Sequence, residues 1–148
     1  VGETGYDLAA TRCCSEEEKA AARRRGSSLL YGEMLPDGVT KALDVSRLGG
    51  SLQAKSVVLE LGMGSGTVAM QIFLQCPVRK VLGVELVCSR YRIAEAAVEK
   101  LATGEPSVFR IVDHVPSERI CIEEISTGRR LECRCADFFA LGLDLVEQ

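Results

Sequence analysis

The stretch Ser56-Val-Val-Leu-Glu60-Leu-Gly62-Met-Gly64-Ser-Gly66 decides the fold. Ser56 to Leu61 is a largely apolar, β-branched run that stops at glycines, which predicts a strand buried on both faces. Thr67 to Gln75 then suits a helix. Val68, Ile72 and Cys76 are four apart, and Met70, Phe73 and Leu74 widen the apolar stripe. Pro77 stops it, and Lys80 to Leu86 reads as a second buried strand. Ser89 to Leu101 predicts a second helix, closed by Gly104 and Pro106. Strand, glycine turn, helix, strand, helix is the opening of a right-handed, doubly wound α/β sheet.

Downstream the period changes. Ile120 to Ile125 and Arg130 to Cys135 are short apolar-alternating runs joined by Ser126-Thr127-Gly128-Arg129, the pattern of a β-hairpin. Ala136-Asp137-Phe138-Phe139 ends the second arm, and Ala140 to Gln148 predicts a further helix. In the strand order 3-2-1 expected of such a sheet, that arm ends beside the second strand.

Upstream, Ser15 caps a predicted helix with Glu16, Glu17 and Glu18 in its first turn and Arg23, Arg24 and Arg25 at its end, followed by Gly26. Acid first, base last and glycine after is the order that the helix dipole and a C-cap favour. The three arginines read either as a solvated helix end or as a contact for nucleosomal DNA or nuclear import. A loop follows, then a short helix opening near Pro36 or Asp37, then a break at Gly49-Gly50-Ser51.

Composition bounds the rest. The chain has 148 residues, 47% apolar and 26% charged, which suits one globular domain rather than a disordered chain. No apolar run approaches the ~20 residues of a membrane span. Lys plus Arg is 18 and Asp plus Glu is 21, so a net charge of −3 gives no global basic footprint for nucleic acid. Seven cysteines without a Cys-x-x-Cys pair argue against a disulfide framework and against a zinc site, and point to the cytosol or nucleus. Cys133 and Cys135 alternate along one strand and face one side. His114 reads as a surface or half-buried side chain rather than a catalytic one.

The residues that carry chemistry are gathered at strand ends. Glycines at 62, 64 and 66 let a ligand approach the backbone. Glu60 stands just before the turn, Glu85 ends the second strand, and Asp137 follows the third. A carboxylate at such an end can accept two ribose hydroxyls. A dinucleotide turn wants Gly-x-Gly-x-x-Gly, but the sixth place here is Thr67. Gly-x-Gly-x-Gly with an acid two residues earlier favours S-adenosylmethionine (SAM), which carries no phosphate. Asp137 could then take the adenine amino group and Phe138 cover the ring.

Tyr31-Gly32-Glu33, Glu60 to Gly66, Gly83-Val84-Glu85 and Ala136-Asp137-Phe138, in that order, resemble the catalytic domain of the disruptor-of-telomeric-silencing family. These are non-SET methyltransferases of lysine 79 of histone H3. The resemblance spans about Leu29 to Phe139 and implies a class I, Rossmann-like SAM-dependent methyltransferase in the nucleus, acting on the nucleosome. It implies that Tyr31, Gly32, Glu33 and Met34 loop over the methionine end of SAM. Glu60, Leu61, Gly62, Met63, Gly64, Ser65, Gly66 and Thr67 would lie beneath it, Glu85 on the ribose, and Asp137 and Phe138 on the adenine. It further implies an N-terminal helical segment over residues 1–50 and the first half of the SAM-binding domain over residues 51–148.

The chain departs from the family pattern at Met34, Glu60 and Thr67, where Thr, Asp and Gln are frequent, and in the length of Ser107 to Gly128, which reads as a local insertion carrying the hairpin. The family's paired Asn, which shape the lysine channel, fall beyond Gln148, so this fragment is expected to be incomplete and inactive by itself. No catalytic base is identifiable, and no metal is needed. Three other readings stand beside this one: a SAM enzyme acting on another protein or a small molecule, a methyltransferase-like binding domain without chemistry, and an NAD-linked oxidoreductase.

Overall fold

Burial along the chain peaks in β2 (Lys80–Glu85), every residue of which is buried. The computed structural model describes residues 13–26, 32, 34–44 and 46–141. β2 pairs in parallel with β1 (Val57–Leu61) on one side and with β5 (Arg130–Cys135) on the other. β5 continues antiparallel into β4 (Arg119–Glu124), and β4 into β3 (Phe109–Val115). The sheet order is β1-β2-β5-β4-β3. Its parallel part runs third strand, second strand, first strand, as the sequence predicts.

Four helices accompany the sheet among the described residues. α1 (Glu16–Arg24) opens on a full capping box: Ser15 Oγ accepts the Glu18 N–H at 3.1 Å, and the Glu18 carboxylate accepts the Ser15 N–H at 2.8 Å. α2 (Pro36–Ala42) starts on Pro36, whose missing N–H costs nothing in a first turn. α3 (Thr67–Gln75) and α4 (Cys88–Gly104) are the two crossover helices. α4 begins one residue earlier and ends three residues later than the apolar stripe suggests.

One face of the sheet carries the core. Val81 of β2, Leu131 and Cys133 of β5, and Ile120 and Ile122 of β4 meet Ala69, Ile72 and Phe73 of α3 and Tyr91, Ala94 and Val98 of α4. Each fully buried aliphatic or aromatic side chain here contributes about 1.5–3 kcal/mol relative to exposure. Such crossovers are right-handed as a rule, and two of them running in the same direction along the sheet place both helices on one face, as the shared core cluster shows. On the other face of the meander, charged residues alternate. Lys80 and Glu132 form a buried ion pair at 2.8 Å, Arg134 joins Glu132, and Glu123 takes Arg110 and Arg130.

Three expectations change. β1 is not buried on both faces: Leu59 is 37% and Leu61 is 52% exposed. It pairs with β2 alone among the described residues, so its burial depends on neighbours that its own sequence cannot report. The segment from Ser107 is not only a hairpin: Phe109–Val115 adds a third strand to the meander. After Asp137 the chain makes a 3-10 turn, Phe138–Ala140, rather than opening directly into an α-helix at Ala140; residues 142–148 lie outside the described residues, as does Val45. The β4–β5 hairpin forms as expected, with Gly128 at φ 72° in its loop.

Candidate functional site

The glycine turn is held to the end of β2 by its own backbone. The N–H groups of Gly62 and Met63 both donate to Val84 O, at 2.8 and 3.1 Å. Gly64 N–H donates to Glu85 Oε2 at 2.8 Å, and Val87 N–H to Glu85 Oε1 at 2.8 Å. Each Glu85 oxygen therefore holds one backbone N–H and keeps further lone-pair capacity. The carboxylate is buried, at 4% exposure, so a ribose would have to reach it from within the turn.

Left-handed backbone explains why the turn is glycine. Gly62, Gly64 and Gly66 have φ of 72°, 58° and 79°, a region that costs an L side chain roughly 1–2 kcal/mol. Gly66 also meets α4 closely: a Cβ there would lie 2.9 Å from Ala94 Cβ. At Gly62 nothing lies within 4 Å of an added Cβ, so its backbone borders open space at the carboxyl edge, where ligands of such sheets bind.

The predicted site residues separate into those that border this space and those that build it. Gly62 and Leu61 are exposed, and Ser65, Thr67 and Glu60 are half-buried. Ser65 and Thr67 share a hydroxyl hydrogen bond at 3.0 Å. Met63 is 4% exposed and turns into the core. Its sulfur lies over Gly83, where an added Cβ would collide with it. The glycine of Gly83-Val84-Glu85 thus seats Met63 and fixes the turn against β2. The Glu60 carboxylate lies near the Cys133 thiol, which burial first and this charge second push upward.

The third strand end lies where the order 3-2-1 predicts. Ala136 N–H donates to Glu85 O at 2.9 Å, carrying the β2–β5 ladder one step further. Asp137 follows. Its Oδ1 accepts the Phe139 N–H at 3.0 Å, and its Oδ2 faces Arg25 Nε at 3.8 Å. Phe138 is half-buried and stacks edge-on with the exposed Phe139, ring centres 5.7 Å apart. Tyr31 and Glu33 lie outside the described residues. Gly32 and Met34 are exposed, and the Met34 side chain packs on Gly38 of α2. α2 is tied to α3 by Gln71, whose amide donates to Pro36 O and Thr40 Oγ1, both at 2.9 Å.

One contributor escapes sequence reasoning. Glu18 of α1 accepts Ser89 N–H at 2.9 Å and Ser89 Oγ–H at 2.8 Å. It caps α4, whose own N-cap, Val87, offers no side-chain bond. Burial opposes its ionisation, but the hydrogen bonds from Ser15 and Ser89 outweigh this and hold its carboxyl below the usual range. The capping-box spacing announces Glu18 but not its second partner. His114 is half-buried and pairs with Glu95 of α4 at 3.0 Å. Among the described residues no three His, Cys, Asp or Glu side chains gather in a metal-binding arrangement.

A cavity of 560 Å³ lies at the opposite end of the parallel strands, lined by Leu74, Pro77, Arg79, Thr127 and Arg129 among others. Arg129 there is committed to structure. It donates to Phe73 O and Cys76 O at 3.0 and 2.5 Å, closing the end of α3, and pairs with Glu124 at 2.9 Å.

Compared with known families, residues 11–104 match the family described as "Histone methylation protein DOT1". That is well over half of the 148 residues, and the chain belongs to this family. Its members are SAM-dependent methyltransferases of lysine 79 of histone H3, acting on the nucleosome. No curated protein matches the chain in sequence.

Proposed function

We propose that this member of the DOT1 family holds SAM along the carboxyl edge of its parallel strands. The turn Glu60 to Thr67 lies beneath the methionine end and the loop Tyr31 to Met34 over it. Glu85 receives the ribose, and Asp137 and Phe138 receive the adenine. The observation that carries this is the convergence of three adjacent strand ends: a glycine turn bordering open space at Gly62, the Glu85 carboxylate bound to that turn, and Asp137 immediately after the Ala136 whose N–H bonds to Glu85 O. The residues fit the group. SAM brings no phosphate, and the carboxylates of Glu60, Glu85 and Asp137 stand at the three strand ends, the last of them facing Arg25.

When bound there, the cofactor would supply a sulfonium methyl group to a neutral lysine amine, with the thioether as the leaving group opposite the amine. The chain's part is to bind and orient. Glu85 and Asp137 fix the adenosine by charge-assisted hydrogen bonds. The glycine backbone lets the methionine end lie close, and the 31–34 loop excludes water from it. Residues 1–50 act as the helical segment that carries this loop, and residues 51–148 as the first half of the SAM-binding domain. Arg23 and Arg24, on the exposed end of α1, with Arg25 beside them, are suited to phosphates of nucleosomal DNA. The protein works in the nucleus, where that substrate lies.

A calorimetric titration tests the cofactor assignment. SAM binds at a single site and excess NAD does not displace it. Displacement by NAD, or binding of NAD alone, would assign the turn to a dinucleotide instead.

A further inference from the structure

The carboxylate of Glu18 serves two helix N-termini at once. Its Oε2 accepts the Ser15 N–H at 2.8 Å, closing the capping box of α1. In the first turn of α4, its Oε1 accepts the Ser89 N–H at 2.9 Å and its Oε2 the Ser89 Oγ–H at 2.8 Å. Three of about four lone-pair positions are thus filled by the protein itself, so Glu18 acts through what it holds rather than by touching a ligand. It holds a segment that carries the site. Two residues before Ser89, the Val87 N–H is bound to Glu85 Oε1 at 2.8 Å, and Glu85 Oε2 holds the glycine turn at Gly64. The N–H groups of Arg90 and Tyr91 both donate to Val87 O at 3.0 Å. The start of α4 therefore lies between two carboxylates, one from β2 and one from α1.

α1 reaches the same edge at its other end. Arg25, the C-cap of α1, faces Asp137 Oδ2 at 3.8 Å. Glu18 and Arg25 are seven residues apart, about 10 Å along a helix axis. Ala22, between them, is 2% exposed, so α1 is packed down and not merely tethered. One helix thereby runs from the start of α4 to the residue after Ala136, whose N–H bonds to Glu85 O at 2.9 Å. It touches both segments that bear the contacts assigned to adenosine.

We propose that Glu18 is a positioning residue for SAM: by capping α4 it fixes the Glu85 carboxylate and seats α1 across the two segments assigned to adenosine. The effect on SAM rests on the reading of Glu85 and Asp137 given above; the clamp itself does not. The physical reason lies at the helix end. Val87, the N-cap of α4, offers no side-chain acceptor. Without Glu18 the first turn loses the partner of the Ser89 N–H and frays. In a frayed turn the Val87 N–H leaves Glu85 Oε1, and the carboxylate is free to rotate. SAM then binds only the fraction of chains in which the turn is formed, and its apparent affinity falls by that fraction.

The test reads two quantities in four chains: amide exchange of Ser89 by NMR without ligand, and SAM affinity by calorimetry. The chains are the natural one, Glu18→Ala, Glu18→Gln and Ser15→Ala. In Glu18→Ala, Ser89 exchange quickens and SAM affinity falls about 3- to 10-fold. Glu18→Gln keeps one oxygen for the Ser89 N–H and recovers most of both. Ser15→Ala removes the hydroxyl half of the capping box, which weakens α1 but leaves Glu18 on Ser89, and it changes neither quantity. Faster Ser89 exchange in Glu18→Ala with unchanged SAM affinity overturns the proposal. An equal loss of affinity in Ser15→Ala, or a glutamine variant no better than alanine, also overturns it, because Glu18 then serves only the stability of α1. A natural chain that binds no SAM overturns the cofactor-site reading and the affinity effect together, while Ser89 exchange decides the clamp by itself.

Discussion

Glu85 accepts the N–H of Gly64 at 2.8 Å across 21 residues of sequence. One carboxylate thus fixes the shape of the glycine turn and stands at the strand end assigned to the ribose. Strand β2 and the turn after β1 are one unit, not two motifs that happen to be neighbours.

Replacing that carboxylate tests both roles. Glu85→Ala is expected to weaken SAM binding by about 1–3 kcal/mol, the worth of charge-assisted hydrogen bonds. It also leaves the backbone N–H groups of Gly64 in the turn and Val87 before α4 without their acceptor, so the urea midpoint falls as well. Calorimetry at a temperature where the variant is folded separates the effects, and unchanged SAM affinity would count against the assignment.

The glycines of the turn differ in a measurable way. Gly62→Ala carries only the left-handed strain, roughly 1–2 kcal/mol. Gly66→Ala carries the same strain and a contact at 2.9 Å with Ala94 on α4, so it destabilises more. Urea denaturation of the two variants should rank them in that order with similar slopes. Equal losses would mean that α4 yields freely at Ala94.

Acid should loosen the charged face of the meander. Burial opposes ionisation of Glu132, but hydrogen bonds from Lys80 and Arg134 outweigh it and lower its carboxyl from the ordinary 4.5. A group depressed in the native state stabilises fully above its unfolded value, and that contribution fades as pH falls through the native one. The window therefore lies below 4.5. Urea midpoints measured at about pH 6 and about pH 3 should fall less in Glu132→Gln than in the natural chain. Equal falls would remove Glu132 from the acid response.

Arg23 and Arg24 offer a test on the substrate side. The double change Arg23→Gln and Arg24→Gln should weaken nucleosome binding and reduce the salt slope by about 0.9 for each phosphate that is no longer neutralised. Binding with an unaltered slope would return these residues to the role of a solvated helix end.

The edge assigned to the cofactor is legible in the sequence because its signals are local. A glycine run after a β-branched strand, an acid closing the next strand and Ala136-Asp137-Phe138 after a hairpin each sit within a few residues. The sequence does not announce β3 because the strand does not alternate: a register shift between Ile111 and Asp113 breaks the period, and Ile111 and Val112 are both exposed. The openness of β1 depends on its neighbours in the sheet, which Val57 to Leu61 do not encode. Glu18 on Ser89 and Met63 over Gly83 join residues far apart in sequence or unremarkable in type. Only Gly83, a glycine inside a buried strand, hinted at a close approach.

Backbone hydrogen exchange of the chain with and without SAM tests the central claim most directly, because it needs no substitution. The account predicts slowed exchange at Gly62 to Thr67, at Glu85 to Ser89 and at Ala136 to Phe139, with no change at Leu74 to Arg79 or Thr127 to Arg129 around the cavity at the opposite end. Protection confined to that cavity, or absent from the three strand ends, would contradict it.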